Sequence, residues 1–319
     1  MWDIVGIDRP CVDVVVDVRQ FPHPDGRETI RELCFQGGGK TANGLCAAAR
    51  LGARCALMGT VGTDRWADFC QRDLAHYGVD ASRLIRREGA YTSLSIVISD
   101  EETGGRSIMN HRSLGRTLAF EEMEDALLRD TRYLYLPWIN EDTIRAAQLT
   151  RAGGGKVMLD ADSNTQGVEA FLPLTDVLIC AQSLCSAEFA KADDRRSSCE
   201  RIRSQGPEIV LFTCGAEGLY GCSSEGYFEL PAYTVPVKDS LGAGDAFHGA
   251  FLVGLLRGRS VRNAAEYAAA TAAIKCTQPG GRAGLPDQQT LERFLRDGTL
   301  DWQRLNKQYE YYQRGMQDV

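Results

Sequence analysis

The sequence predicts an α/β protein: a central, mostly parallel sheet flanked by helices, with a smaller sheet beside it. Three observations predict this class. Short continuous apolar runs recur along the chain, as strands buried on both faces require. Helical spacings lie between those runs, and strand–helix alternation implies parallel strands joined by crossover helices. Two other segments alternate polar with apolar residues, which marks strands with one wet face.

The elements follow in order. Asp3–Val5 is the first apolar run. Val12–Val18 alternates Val with Asp, placing Asp13 and Asp17 on one face and Val12, Val14, Val16 and Val18 on the other. Leu33-Cys34-Phe35 is too short to count as a buried strand. A helix runs through Ala47–Leu51 and stops at Gly52; Cys55–Met58 is a strand. Trp66, Phe69, Leu74 and Tyr77 have helical spacing, with Gly78 as the stop. Ser93–Ser99 alternates Ser with Leu, Ile and Val. Tyr133–Leu136, Val157–Leu159, Val177–Cys180 and Ile209–Phe212 read as further buried strands, and Glu141–Gly153 and the Ala-rich Val261–Cys276 as helices. With no Pro- or Ser-rich linker, repeat or low-complexity tract, residues 1–319 are expected to form a single domain. The alternating strands then belong to an insertion, and a small sheet with an apolar face needs a cover, for which a second subunit is a candidate.

Composition narrows the function. Apolar residues make up 44% and charged residues 25%, ordinary for a globular protein. The net charge, 36 − 43 = −7, speaks against a nucleic-acid partner. No apolar run approaches a membrane span, and the segment from Met1 to Gly6 does not read as a secretory signal, so a cytoplasmic protein is expected. The 11 cysteines are scattered, which argues against a zinc cage or a disulfide framework and for reduced thiols.

The most informative segment is Lys238-Asp239-Ser240-Leu241-Gly242-Ala243-Gly244-Asp245-Ala246-Phe247. Gly242 and Gly244 let a ligand approach the main chain, and the first amides of the apolar helix that follows form an anion site. Asp245 places a carboxylate at its edge. An acid there suits a hydroxyl that attacks a phosphate, although Asp at a helix start also serves as a simple cap. The second segment is Gln36-Gly37-Gly38-Gly39-Lys40-Thr41-Ala42-Asn43-Gly44. A P-loop fails on spacing, because the leading glycine would fall on Cys34. Gly38 and Gly39 instead allow close approach of a polar ligand, and Asn43 offers a donor and an acceptor to hydroxyls.

Together these segments resemble the signatures of the PfkB, or ribokinase, family of carbohydrate kinases. Gly38-Gly39-Lys40-Thr41-Ala42-Asn43 is similar to the first signature, and Asp239-Ser240-Leu241-Gly242-Ala243-Gly244-Asp245 to the second, with Ser240 for Thr. The turns Gly59–Asp64 and Thr213–Gly218, and the segment Gly280–Pro286, follow in family order. The resemblance implies a ribokinase-like fold whose small β-sheet lid is inserted at about residues 11–35 and 90–112, often with a homodimer formed through the lid. It implies transfer of the γ-phosphate of ATP, with Mg²⁺, to a hydroxyl of a small sugar or related polyol. Asp245 would be the base and Gly242, Ala243 and Gly244 the anion hole. Asp13, Gly38, Gly39, Lys40 and Asn43 would bind the sugar, and Thr213, Gly215, Gly218, Gly242 and Gly244 the nucleotide. Asp239 and Ser240 fall where some members bind a monovalent cation such as K⁺.

One departure stands out. The family's Asn-x-x-Glu segment, which organises Mg²⁺ and phosphate, falls here on Gln182 and Cys185, with Glu188 as a substitute. A nucleoside kinase of the same fold is the alternative, with Phe35, Tyr91 and Trp138 as candidates for a base slot. A non-catalytic sugar- or nucleotide-binding regulator is the third reading.

Overall fold

The computed structural model describes residues 1–103, 105–162, 165–181, 184 and 194–315. The strands are β1 (Trp2–Asp8), β2 (Cys11–Val18), β3 (Ile30–Gly38), β4 (Cys55–Val61), β5 (Asp80–Arg86), β6 (Leu94–Asp100), β7 (Arg106–His111), β8 (Thr131–Leu136), β9 (Lys156–Ala161), β10 (Val177–Ala181), β11 (Ile209–Thr213), β12 (Leu219–Ser223) and β13 (Gly226–Leu230). The α-helices are α1 (Lys40–Arg50), α2 (Arg65–His76), α3 (Asp125–Arg129), α4 (Glu141–Ala152), α5 (Val168–Phe171), α6 (Arg195–Arg203), α7 (Ala243–Leu256), α8 (Val261–Lys275), α9 (Gln288–Asp297) and α10 (Trp302–Gly315).

Nine strands form the main sheet in the order β13-β12-β11-β10-β9-β8-β1-β4-β5, with β12 and β13 antiparallel at one edge and the rest parallel. Its strands read as continuous apolar runs because both faces are buried. Ile4, Leu57, Tyr133, Met158 and Ile179 enter one core with α1, α7 and α8. Their neighbours Val5, Met58, Leu134, Leu159 and Leu178 enter the other, with α3 and α4.

The second sheet runs β3-β2-β6-β7. Three expectations need correction here. Leu33-Cys34-Phe35 is the middle of the nine-residue strand β3, held in register by β2 from Val18 opposite Ile30 to Cys11 opposite Gly38. The Asp13 face of β2 is not wet: Asp13 and Val15 are 6% and 4% exposed, because this face turns toward the body of the protein. The first helix also begins earlier than its apolar run suggested, at Lys40, since Gly39 supplies the turn with φ 106°. Among the described residues the cysteines are unbridged, and no helix is long and apolar enough to cross a membrane.

Candidate active site

Side chains converge at the C-terminal ends of the parallel strands, the edge at which open α/β sheets bind ligands. β1 ends in Asp8 and β9 carries Asp160; α1 opens at Lys40 and α7 at Ala243. Gly242 is the N-cap of α7, at φ 71°, and no side chain caps that first turn. A Cβ on Gly242 would stand 2.9 Å from Gly281, so both the backbone angle and the close approach require glycine. The Ala243 N–H turns back onto Ser240 O at 3.2 Å. The first-turn amides lack helical partners and, with the helix dipole, favour an anion. Gly244 leaves the approach open: among the described residues a Cβ there would meet only His248 Cε1, at 3.9 Å.

Asp245 lies in this turn, partly exposed. Asn43 Nδ2 donates to its Oδ2 at 2.8 Å, and Arg282 Nε donates to Asn43 Oδ1 at 2.8 Å, which fixes the amide's orientation. Arg282 is wholly buried; it pairs with buried Asp73 at 2.6 Å and donates to Gly38 O at 3.0 Å. On the other side, Lys40 Nζ lies 3.2 Å from Asp160 Oδ1 and 3.1 Å from Asp162 Oδ2. Asp160 also accepts from Tyr135 OH at 3.3 Å and lies 3.5 Å from His248 Nε2.

The electrostatics follow from this crowding. Burial and then the Asp160 charge push the Asp245 carboxyl up to about 7, while the Asn43 hydrogen bond and the Lys40 ammonium pull it back. Burial holds His248 below its ordinary value, so its ring is neutral near pH 7. Burial also raises Asp13, against the charge of Arg282. The donor atoms of Asp160, Asp245 and His248 lie within 4.8 Å of one another. An imidazole in the set and an ammonium beside it suit a hard, oxygen-seeking Mg²⁺ poorly; Lys40 already supplies the positive charge.

The residues singled out in the sequence are thus distributed as follows. Gly38 backs onto Asp13 so closely that a Cβ would overlap its carboxylate. Gly39 abuts Asp8, whose Oδ2 accepts the Ala42 N–H at 2.9 Å. Asp13, Gly38, Gly39, Lys40, Asn43 and Asp245 therefore form one neighbourhood. Asp239 is buried behind Gly242, and Ser240 Oγ is bonded by Arg106 of β7. Thr213 ends β11, with Oγ1 donating to Cys180 O at 3.4 Å, and Gly215 and Gly218 follow with φ 55° and 91°. These three share the sheet edge but stand two strands along from β9. Gln182, Cys185 and Glu188 lie outside the described residues.

Sequence reasoning missed Asp8, Asp73, Asp160, His248 and the role of Arg282. Acids at strand ends carry no local pattern; the segment Gly280–Pro286 around Arg282 and the i, i+3 spacing of His248 from Asp245 were the available signals. A cavity of about 310 Å³ lies elsewhere, where Trp66 of α2 faces Tyr91, Leu94 and His111. Its rings are already engaged: Tyr91 stacks on His111 at 4.2 Å, and Phe35 on Trp66 at 5.3 Å. Trp138 packs against the core.

Known proteins share this fold. The profile of the pfkB family carbohydrate kinases matches residues 1–288. The chain is 24% identical over 320 residues to a 5-dehydro-2-deoxygluconokinase of Shouchella clausii, covering 93% of this chain and 96% of that protein. It is 26% identical over 290 residues to an ATP-dependent ribose-1-phosphate kinase of Halopiger xanaduensis, covering 89% and 94%. Among solved structures, the ribokinase of Thermotoga maritima superposes with a TM-score of 0.79 at 24% identity, covering 93% of this chain and 100% of that one.

Proposed function

Because this chain belongs to the pfkB family of carbohydrate kinases, we propose that it transfers the γ-phosphate of ATP to a hydroxyl of a small sugar. The observation that carries the reading is Asp245: a carboxyl poised near 7, clamped by Asn43, in the open first turn of α7. The names of the two relatives support a small-sugar acceptor and ATP as donor.

In this reading Asp245 accepts the proton of the attacking hydroxyl, which contributes roughly 10²–10⁴-fold. The amides of Gly242 and Gly244 stabilise charge on the transferring group, while the Ala243 amide, bonded to Ser240 O, holds the turn in shape. Asp13, Gly38, Gly39, Lys40 and Asn43 line the acceptor side, and Lys40 offsets the acids that crowd Asp245. Thr213, Gly215 and Gly218 border the nucleotide. Mg²⁺ would enter with ATP and neutralise its phosphates. The apolar outer face of the β3-β2-β6-β7 sheet is where two copies pair.

A nucleoside acceptor is the second reading, which relatives named aminoimidazole riboside kinase and nucleoside kinase support; Phe35, Tyr91 and Trp138 are engaged in stacking and core packing. An ADP-release assay with Mg–ATP against sugars, sugar acids, sugar phosphates and nucleosides tests the proposal. Turnover is expected with a sugar derivative, and Asp245→Asn is expected to remove nearly all of it while ATP still binds. A folded Asp245→Asn variant with near-normal turnover would refute the base assignment.

A further inference from the structure

Lys275 closes α8, and its side chain is wholly buried. Lysine is almost never buried without a partner, since removing an ammonium from water costs several kcal/mol. Its Nζ donates to the main-chain oxygen of Asp239 at 2.8 Å. The Asp239 carboxylate, also buried, accepts the Leu241 N–H and the Gly280 N–H, each at 2.8 Å. The Lys238 and Asp239 N–H groups donate in turn to Cys276 O at 2.8 and 3.1 Å. One ammonium and one carboxylate thereby tie together the end of α8, the loop leading into Gly242, and the loop through Gly280 and Gly281. Gly281 is the wall against which Gly242 rests.

The charges explain the arrangement. A turn meant to gather amides around an anion carries a buried acid three residues before Gly242, and that acid opposes the anion. A cation beside Asp239 offsets it, and the C-terminus of a 15-residue helix favours a cation. Burial lowers the Lys275 pKa from its ordinary 10.5, while Asp239 raises it. Ser240, the other position at which the family resemblance placed a monovalent ion, already accepts a hydrogen bond from the Arg106 guanidinium.

We infer that Lys275 is a built-in cation, whose ammonium orders and charge-balances the anion-hole loop in place of a bound monovalent ion. Lys275 is a positioning residue, and its role as stated rests on the phosphotransfer reading. The site around Asp239 therefore does not fit an added K⁺.

The test compares the full-length wild type with Lys275→Met and Lys275→Ala in buffer whose only monovalent cation is tetramethylammonium, with K⁺ or methylammonium then added. Wild-type turnover is expected to be indifferent to K⁺. Both variants lose kcat by roughly 10²-fold, the scale of a lost oxyanion donor, with the acceptor KM little changed. Lys275→Ala, which leaves room for an ion, recovers part of the loss with K⁺ or methylammonium. Hydrogen exchange supplies a readout without catalysis: amides 241–244 exchange faster in Lys275→Ala and slow again with K⁺. Activation of the wild type by K⁺, wild-type kcat in either variant, or loop amides indifferent to Lys275 would overturn the inference. A wild type silent on every acceptor would instead remove the kinase reading, while the exchange measurement still decides whether Lys275 orders the loop.

Discussion

The carboxyl of Asp245 keeps its proton up to about pH 7, yet the proposed proton transfer needs the carboxylate. kcat/KM should therefore rise with pH through an acid limb near 7. Lys40→Met removes a charge that lowers this pKa and should move the limb upward, whereas Asp160→Asn should move it downward. A pH–rate profile of the three proteins checks both directions. Stability follows the opposite sign. The unfolded chain releases this proton near 3.8 and the folded chain near 7, so stability falls as pH rises through that window. Asp245→Asn should then melt higher than wild type above pH 7, with the gain vanishing below 3.8, as thermal denaturation at the two extremes would show. Arg282 acts through others: it holds Asn43 and neutralises Asp73, both in a dry environment. Arg282→Met strands the Asp73 carboxylate, which should cost about 3–5 kcal/mol in denaturant titrations.

The distance between Asn43 and Asp245 is set by two helices, α1 and α7, whose main chains touch. A Cβ on Gly249 would run into the carbonyl of Gly44, one residue from Asn43 and one helical turn from Asp245. Gly249→Ala should push the helices apart, cost about 1–3 kcal/mol by overpacking, and lower kcat more than it changes ATP binding. Equilibrium unfolding beside steady-state kinetics separates these effects. The same elements show what local pattern could and could not reveal. α7 was legible because Gly242-Ala243-Gly244-Asp245 runs straight into apolar residues, and β8 to β11 because burial on both faces leaves continuous apolar runs. β3 was missed because one edge-strand sequence mixes exposed Ile30 with buried Cys34 and Gln36. β7 was missed because Arg106–His111 is exposed along its whole length. Asp160 was illegible for a different reason: it comes from β9, and only the fold brings it within reach of Asp245, whereas His248 stands three residues after Asp245 on α7 and its helical spacing was overlooked.

At the scale of the whole molecule, the β3-β2-β6-β7 sheet has two unlike faces. Register places Asp13 beside Ser95, and Ser95 beside Asn110, on the side turned to the site, where Ser95 Oγ donates to Asn110 Oδ1 at 3.0 Å. The same register places Leu33, Phe35, Val14, Ile96 and Met109 together on the opposite side. Most of these are half-buried and Met109 is 50% exposed, so the strip is apolar and incompletely covered. The sheet is also tied to the loop that leads into Gly242, because Arg106 of β7 bonds Ser240. Pairing of two copies across the strip would bury it and steady that tie. Sedimentation should then show a dimer, and Ile96→Lys, which buries an unpaired charge at the centre of the strip, should weaken association by roughly 10²–10³-fold. Because the altered face points away from Asp13, the variant should still bind ATP, and its kcat should fall as the sheet loosens. A wild type that sediments as a monomer at assay concentration, or an Ile96→Lys protein that dimerises as tightly, would overturn pairing through this strip.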